Sequence, residues 1–178
     1  RGQLPREALE KGTCDLAVAG FFTDLADSFH QQRLLSDDFV VLASRSHPRL
    51  GNGLDLNTFL ACDHLLTTLT GDLDGLVDRA LRAQGKHRRV VAGLSSFIAP
   101  MRMIQGTDLL LTCLRSLAIE AVKRDDDLLM YPLPLVLPAI EVMQIWHERT
   151  HADPLRQWFR QQLWAVAQEV AARSGNKI

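Results

Sequence analysis

The sequence contains no apolar run that approaches the roughly 20 residues needed to span a lipid bilayer. Its first residues, 1–6, also lack the apolar centre of a secretion signal. The 20 basic and 21 acidic residues nearly cancel, so the chain offers no field of one sign to attract nucleic acid. These features predict a protein that binds no membrane and does not bind DNA through these residues.

Cysteine is scarce, and no catalytic motif is present. Cys14, Cys62 and Cys113 have no metal-ligand spacing and predict buried thiols in a reducing cytoplasm. The six histidines are scattered in the same way, so we expect neither a metal nor a cofactor. The chain has no Gly-x-Ser-x-Gly elbow, no dinucleotide fingerprint and no phosphate loop. We therefore do not expect an enzyme, although Cys113 as a nucleophile remains an alternative.

The residues that are present centre on a short apolar run, 16–19, which is closed by Gly20. Such a run predicts a buried strand. Phe21 and Phe22 follow it directly. Apolar side chains just past a strand are typical of a ligand cleft, because open α/β sheets bind ligands beyond the carboxyl ends of their strands. The alternative is that these rings pack into a hinge core.

Predicted strands and helices alternate along the rest of the chain. This order predicts an α/β fold with mostly parallel sheets flanked by helices. The predicted strands are 15–19, 34–35, 39–43, 64–69, 90–94, 109–113, 128–131 and 140–146. The predicted helices are 4–11, 55–61, 73–84, 116–123, one ending near 105 and one starting at 154.

Four segments, in order, resemble the LysR-type transcriptional regulators. Residues 12–20, GTCDLAVAG, are similar to the G-x-x-D-L-A-I-G strand of that family. Residues 34–43, LLSDDFVVLA, with His47-Pro48, look like its next signature, and residues 106–112, GTDLLLT, like its glycine turn and strand. The ending 146–160, with W-H-x-R and D-P-x-x-x-W-F-R, resembles the branch of nodulation and aromatic-degradation regulators.

The resemblance implies the effector-binding domain of such a regulator, with two subdomains of the type II periplasmic-binding-protein fold. Subdomain I would hold about residues 1–47 and 141–178, and subdomain II about 48–140. A small molecule, an aromatic compound or a carboxylate, would bind between them and alter the oligomer geometry. The winged helix-turn-helix and the first strand would be absent from this chain, which looks like the middle of a longer protein.

The resemblance also implies partners. We expect a cytoplasmic homodimer or homotetramer that contacts DNA only through the absent N-terminal domain. Helices 4–11 and 73–84 would pair in an antiparallel dimer, unless their apolar faces are buried within the chain. The alternative function is a solute-binding protein of a transport system with the same fold.

Each candidate contact of the effector has a structural alternative. His64 would be a ligand or a histidine bonded to a backbone carbonyl; the serines would be ligands or helix caps. The threonines suit strands in any case. The predicted effector contacts are Phe21, Phe22, His64, Thr67, Ser95, Ser96, Phe97 and Thr112.

Overall fold

A computed structural model describes residues 4–20, 25–51, 53–69 and 71–174. The chain divides into two units, Arg1–Asp37 with Ala139–Ile178, and Asp38–Pro138. The helices are α1 Arg6–Lys11, α2 Leu56–Ala61, α3 Leu76–Arg82, α4 Ala99–Met103, α5 Arg115–Arg124 and α6 Pro154–Ser174. The strands are β1 Ala17–Ala19, β2 Phe29–Asp37, β3 Phe39–Ser44, β4 Asp63–Thr67, β5 Arg89–Leu94, β6 Leu109–Leu114, β7 Leu128–Pro132 and β8 Ile140–His147. A short 3-10 helix covers Glu148–Thr150.

The predicted boundary at residue 47 is wrong, because β3 belongs to the second unit. β3 pairs with β6 on one side and with β7 on the other, so its backbone hydrogen bonds tie it to that sheet. The division comes instead between Asp37 and Asp38. The second division, between Pro138 and Ala139, lies close to the predicted one at residue 140.

The sheets are mixed, which corrects the prediction of mostly parallel sheets. The first unit has three strands in the order β1-β8-β2, both pairs antiparallel. The second has five in the order β5-β4-β6-β3-β7. There β4 pairs in parallel with β5 and β6, whereas β3 runs antiparallel to β6 and β7. β3 begins beside the end of β6, where Phe39 is in register with Leu114. It therefore runs in the direction opposite to β6.

The five-stranded sheet is covered on both faces, as the alternation of its side chains requires. Along β3, Val40 and Leu42 belong to one apolar cluster, and Val41 and Ala43 to the other. The first cluster includes residues of α4 and α5; the second includes residues of α2 and α3. Cys113 is buried in the first and Cys62 in the second, whereas Cys14, in the first unit, is only partly buried.

Arg149 holds the turn that leads into β1. Its guanidinium donates to the carbonyl of Leu9 at 2.8 Å, to the carbonyl of Cys14 at 3.0 Å and to the carboxylate of Asp15 at 3.0 Å. Gly12 ends α1 with φ 82°, and a Cβ at this position would lie 3.0 Å from the Arg149 guanidinium. Glycine is therefore required here both by the left-handed backbone and by the close arginine.

The helices that are predicted to pair in a dimer bury several apolar side chains within their own units, although Leu73 is 49% exposed. Leu9 of α1 is fully buried, as is Leu81 of α3, and Val77 is nearly so. The alternative of intramolecular burial therefore holds for these side chains. In contrast, α6 exposes a series of apolar side chains: Leu155, Trp158, Phe159, Trp164, Val166 and Val170. Among the described residues, no helix is both long and apolar enough to cross a membrane.

A buried guanidinium joins four elements at the amino end of β4. The side chain of Arg88, just before β5, is 0% exposed and forms two hydrogen bonds with Asp78 of α3, at 2.8 and 3.0 Å. Its guanidinium carbon lies 6.0 Å from the ring centroid of Phe59 in α2, and Nη1 lies 3.5 Å from His64 Nδ1 in β4. Asp78 also accepts from the backbone N–H of Gly75 at 2.8 Å. The contacts with Arg88 outweigh burial, so the pKa of Asp78 lies below its usual value.

We predict that Asp78→Asn destabilises the chain by about 3–5 kcal/mol, because it leaves a buried guanidinium without its counter-charge. The matched control is Asp74→Asn, which removes an equally paired but exposed partner of Arg82. Denaturant unfolding should place the control within error of the wild type. Equal destabilisation by both variants would contradict this role for Arg88.

Candidate functional site

The candidate site is the carboxyl edge, defined here as the end of the five-stranded sheet where β4, β5 and β6 stop. Parallel pairing brings these ends together: Thr67 is in register with Leu94, and Leu65 with Leu111. The connection after β4 leads through α3 to β5, on one side of β4. The connection after β6 leads through α5 to β7, on the other side. Adjacent strands whose connections diverge in this way leave a crevice, and open α/β sheets bind ligands there.

The ends of β4 and β5 are joined by hydrogen bonds at this edge. The backbone N–H of Thr68 donates to the carbonyl of Leu94 at 2.9 Å, and the Thr67 hydroxyl donates to the carbonyl of Ser96 at 3.4 Å. The Thr68 hydroxyl accepts from the N–H of Gly71 at 3.1 Å and so holds the next turn. Thr67 and Ser96, two of the predicted effector contacts, are therefore neighbours.

Ser96 acts as the predicted helix cap. Its Oγ accepts from the N–H groups of Ile98, at 3.2 Å, and Ala99, at 3.1 Å, at the start of α4. A serine hydroxyl has one proton to donate, and these two bonds leave that proton available for a further acceptor. Next to it, Phe97 is 49% exposed and Ile98 is 58% exposed. The edge thus offers a hydroxyl donor beside an exposed apolar surface.

Thr112 does not join this group. Its side chain follows Leu110 in the alternation of β6 and pairs with Val41, so it points to the face covered by α2 and α3. Thr67 follows Leu65, which faces the other cluster. The Thr112 hydroxyl is buried, with no hydrogen-bond partner within the described part of the chain. We therefore leave it out of the contacts that we propose.

His64 is not at this edge either. It lies at the amino end of β4, is fully buried, and its Nε2 is 2.8 Å from the carbonyl of Phe59. Its ring packs edge-on against Phe59, with centroids 4.5 Å apart. The alternative of a structural histidine bonded to a backbone carbonyl fits these contacts, so we also remove His64 from the ligand set. Phe21 and Phe22 lie outside the described residues.

Gly93 is a residue of this edge that the sequence analysis did not single out. A Cβ at Gly93 would lie 2.7 Å from Leu73 Cδ2 and 2.8 Å from Thr68 Cγ2. Leu73 thus covers the end of β5 closely, next to Thr68. A glycine inside a predicted strand is a signal of such a close approach.

The fold and this edge define the class: an α/β ligand-binding domain with an open sheet. The chain matches the LysR substrate binding domain over residues 2–168. It is 34% identical over 155 residues to the transcriptional activator NahR of Pseudomonas putida, an alignment that covers 87% of this chain and 51% of NahR. The chain therefore belongs to the family of LysR substrate-binding domains. It spans about half the length of the curated relatives that it matches.

Solved structures agree with this assignment. The probable transcriptional regulator PA0477 of Pseudomonas aeruginosa superimposes with a TM-score of 0.79 at 31% identity, covering 90% of this chain and 52% of that one. The effector-binding domain of QuiR, solved in complex with shikimate, matches with a TM-score of 0.69 at 11% identity, covering 92% and 77%. The QuiR match shows the fold alone. The fold class is thus confirmed as that of LysR effector-binding domains, with mixed sheets.

The buried position of His64 leads to a prediction about pH. Burial, and then repulsion by Arg88, lower the pKa of His64 from 6.5 to about 4. The unfolded chain therefore takes up this proton first, and stability is lost as the pH falls from about 6.5 toward 4. Between pH 7 and pH 5 we expect this residue to reduce the free energy of unfolding by about 2 kcal/mol.

The test is His64→Gln, whose amide N–H can still donate to the Phe59 carbonyl but does not titrate. Denaturant unfolding at pH 7 and pH 5 should show a smaller loss of stability in this variant than in the wild type. His87→Gln, at an exposed histidine, should keep the wild-type loss. An unchanged pH dependence in His64→Gln would contradict the assignment.

Proposed function

We propose that this chain is the effector-sensing domain of a transcriptional regulator and that a small molecule binds at the carboxyl edge. The observation that carries the proposal is the divergence of the connections after β4 and β6, next to Thr67 and to residues 95–97. The relatives are transcriptional regulators, which favours sensing over solute transport and over catalysis.

The chemistry of the edge supports an amphipathic effector. The Ser96 hydroxyl and the exposed Ser95 would hold a carboxylate or another hydrogen-bonding head. The Thr67 hydroxyl would exchange its long bond to the Ser96 carbonyl, 3.4 Å, for a stronger bond to the charged head. The exposed ring of Phe97 and the side chain of Ile98 would cover an aromatic or alicyclic body. A small-molecule site usually combines a few oriented polar groups with apolar surface. A small aromatic compound or carboxylate is therefore the proposed class.

Binding would act by population shift. An effector that binds one conformation more tightly than another shifts the balance between them by that difference in affinity, and no more. We propose that the shift alters the geometry of a homodimer or homotetramer in the cytoplasm. DNA would be bound only by an N-terminal winged helix-turn-helix in the longer regulator. Because Leu9 and Leu81 are buried within their own units, a dimer contact of α1 and α3 would use the exposed residues of these helices.

The test compares compounds that each lack one part of the proposed effector. Benzoate carries both a ring and a carboxylate, benzyl alcohol lacks the carboxylate, and cyclohexanecarboxylate lacks the aromatic ring. Shikimate is included because QuiR binds it. Thermal shift and calorimetry should show binding of at least one carboxylate and weaker binding of benzyl alcohol. Failure of every compound to raise Tm at about 10 mM would count against the proposal.

Variants then locate the site. Thr67→Val removes one hydrogen bond to a charged group. It should lower the affinity for the carboxylate that binds most tightly by about 10-fold or more. Phe97→Ala removes the apolar cover and should weaken it by a similar factor. Thr112→Val is the matched control: it makes the same chemical change to a hydroxyl on the other face of the sheet, and should leave affinity within about twofold. Equal losses in Thr67→Val and Thr112→Val would contradict the proposed site.

A further inference from the structure

Three side chains that can ligate a metal meet in the first unit, one of them more than 100 residues from the other two. His30 lies in β2, Glu148 begins the 3-10 helix after β8, and His151 directly follows that helix. Their ligating atoms all lie within 4.8 Å of one another. We propose that His30, Glu148 and His151 form a site for one divalent transition-metal ion of the Zn²⁺ class. This proposal is independent of effector binding at the carboxyl edge.

Strand pairing brings the three groups together. His30 is in register with Trp146, and Phe29 with His147, so the start of β2 lies beside the end of β8. The N–H of Glu148 donates to the carbonyl of Ser28 at 2.8 Å and fixes the turn. This end of the sheet is opposite to the end where Asp37 pairs with Ile140. The expectation from sequence spacing, that the histidines form no metal site, took no account of this pairing.

Buried contacts support the backbone that carries two of the ligands. Arg160 of α6 is 7% exposed and donates to the carbonyls of Thr150, at 3.2 Å, and His151, at 2.8 Å. Its guanidinium carbon also lies 4.5 Å from the centroid of Trp146. Outer contacts of this kind orient ligands and reduce the cost of assembling a site. The positive charge of Arg160 opposes a metal ion nearby, but its N–H groups are directed at the carbonyl oxygens of Thr150 and His151.

The side chains are already arranged as partners. Nε2 of His30 is hydrogen-bonded to Oε2 of Glu148. The rings of His30 and His151 are stacked with centroids 4.0 Å apart, and Nδ1 of His151 accepts from the indole N–H of Trp146 at 3.2 Å. A metal ion would replace two of these hydrogen bonds, the one between His30 and Glu148 and the one from Trp146 to His151, because Nδ1 is the nitrogen of His151 that has the free lone pair. Zinc ligands lie about 2.0–2.2 Å from the ion at the corners of a tetrahedron, so the hydrogen-bonded atoms of His30 and Glu148 would move apart and the ring of His151 would tilt toward the ion.

The donor set decides the class of ion. Two imidazoles and one carboxylate suit Zn²⁺, Ni²⁺ or Cu²⁺, whereas Mg²⁺ and Ca²⁺ prefer oxygen ligands alone. Three protein ligands leave one position of a tetrahedral ion for water or for another molecule. The competing explanation is an exposed His30–Glu148 ion pair without a metal, which contributes little to stability.

The experiment is calorimetric titration of the untagged 178-residue chain with ZnCl₂ at pH 7.5. We expect saturable binding of one ion per chain. His30→Ala, His151→Ala and the isosteric Glu148→Gln should each weaken it at least about 10-fold. His87→Ala, at an exposed histidine of the other unit, should stay within about twofold.

Fluorescence gives a second measurement. Ni²⁺ bound here lies beside Trp146 and should quench indole emission saturably, with the quenching lost in Glu148→Gln; circular dichroism confirms that this exposed substitution leaves the fold intact. No saturable Zn²⁺ binding below about 1 mM would overturn the proposal and leave only an ion pair. Equal affinity in the wild type and all three ligand variants would overturn it as well.

Discussion

The buried guanidinium of Arg88 is the interaction on which the second unit depends most. It connects the ring of Phe59 in α2, the imidazole of His64 in β4 and the carboxylate of Asp78 in α3, and it lies at the start of β5. A charge without exposed surface is stable only while its partners surround it. The amino ends of β4 and β5 are therefore held in one arrangement. In the part of the chain that the structure describes, their carboxyl ends carry hydroxyls and an exposed phenylalanine instead.

The difference between the amino end and the carboxyl end of β4 links the fold to the proposed function. Parallel strands must be joined by crossovers, and the crossovers after β4 and β6 diverge, so the crevice is a consequence of strand order. There the Thr67 hydroxyl donates to the backbone carbonyl of Ser96, which joins the ends of β4 and β5. A rigid amino end and a polar carboxyl end suit a domain that must bind a ligand without losing its structure.

Local signals in the sequence predicted many elements. Asp55 caps α2 through the N–H of Thr58 at 2.7 Å, Gly12 ends α1 in the left-handed region, and Ser96 caps α4, all as their residue types predict. These features depend on neighbours within a few positions. Strand direction does not, and so β3 was assigned to the wrong unit and the sheets were predicted as mostly parallel.

Local sequence signals also do not predict which side chains meet at the carboxyl edge or in the proposed metal site. Thr67 and Ser96 are brought together by adjacent strands, whereas the alternation of β6 turns Thr112 to the opposite face, and His64 lies at the amino end of β4. The group of His30, Glu148 and His151 depends on the pairing of β2 with β8, across more than half of the chain. No local spacing in the sequence encodes such a pairing.

The central claim, that ligands bind at the carboxyl edge, is tested most directly by ¹H–¹⁵N NMR. The tightest carboxylate of the panel is titrated into the labelled chain, and amide shifts are mapped onto the sequence. We expect the largest shifts, among the described residues, at 67–68 and 94–99, with little change around Arg88 and His64. Large shifts at the amino ends of β4 and β5, with none at 94–99, would contradict it.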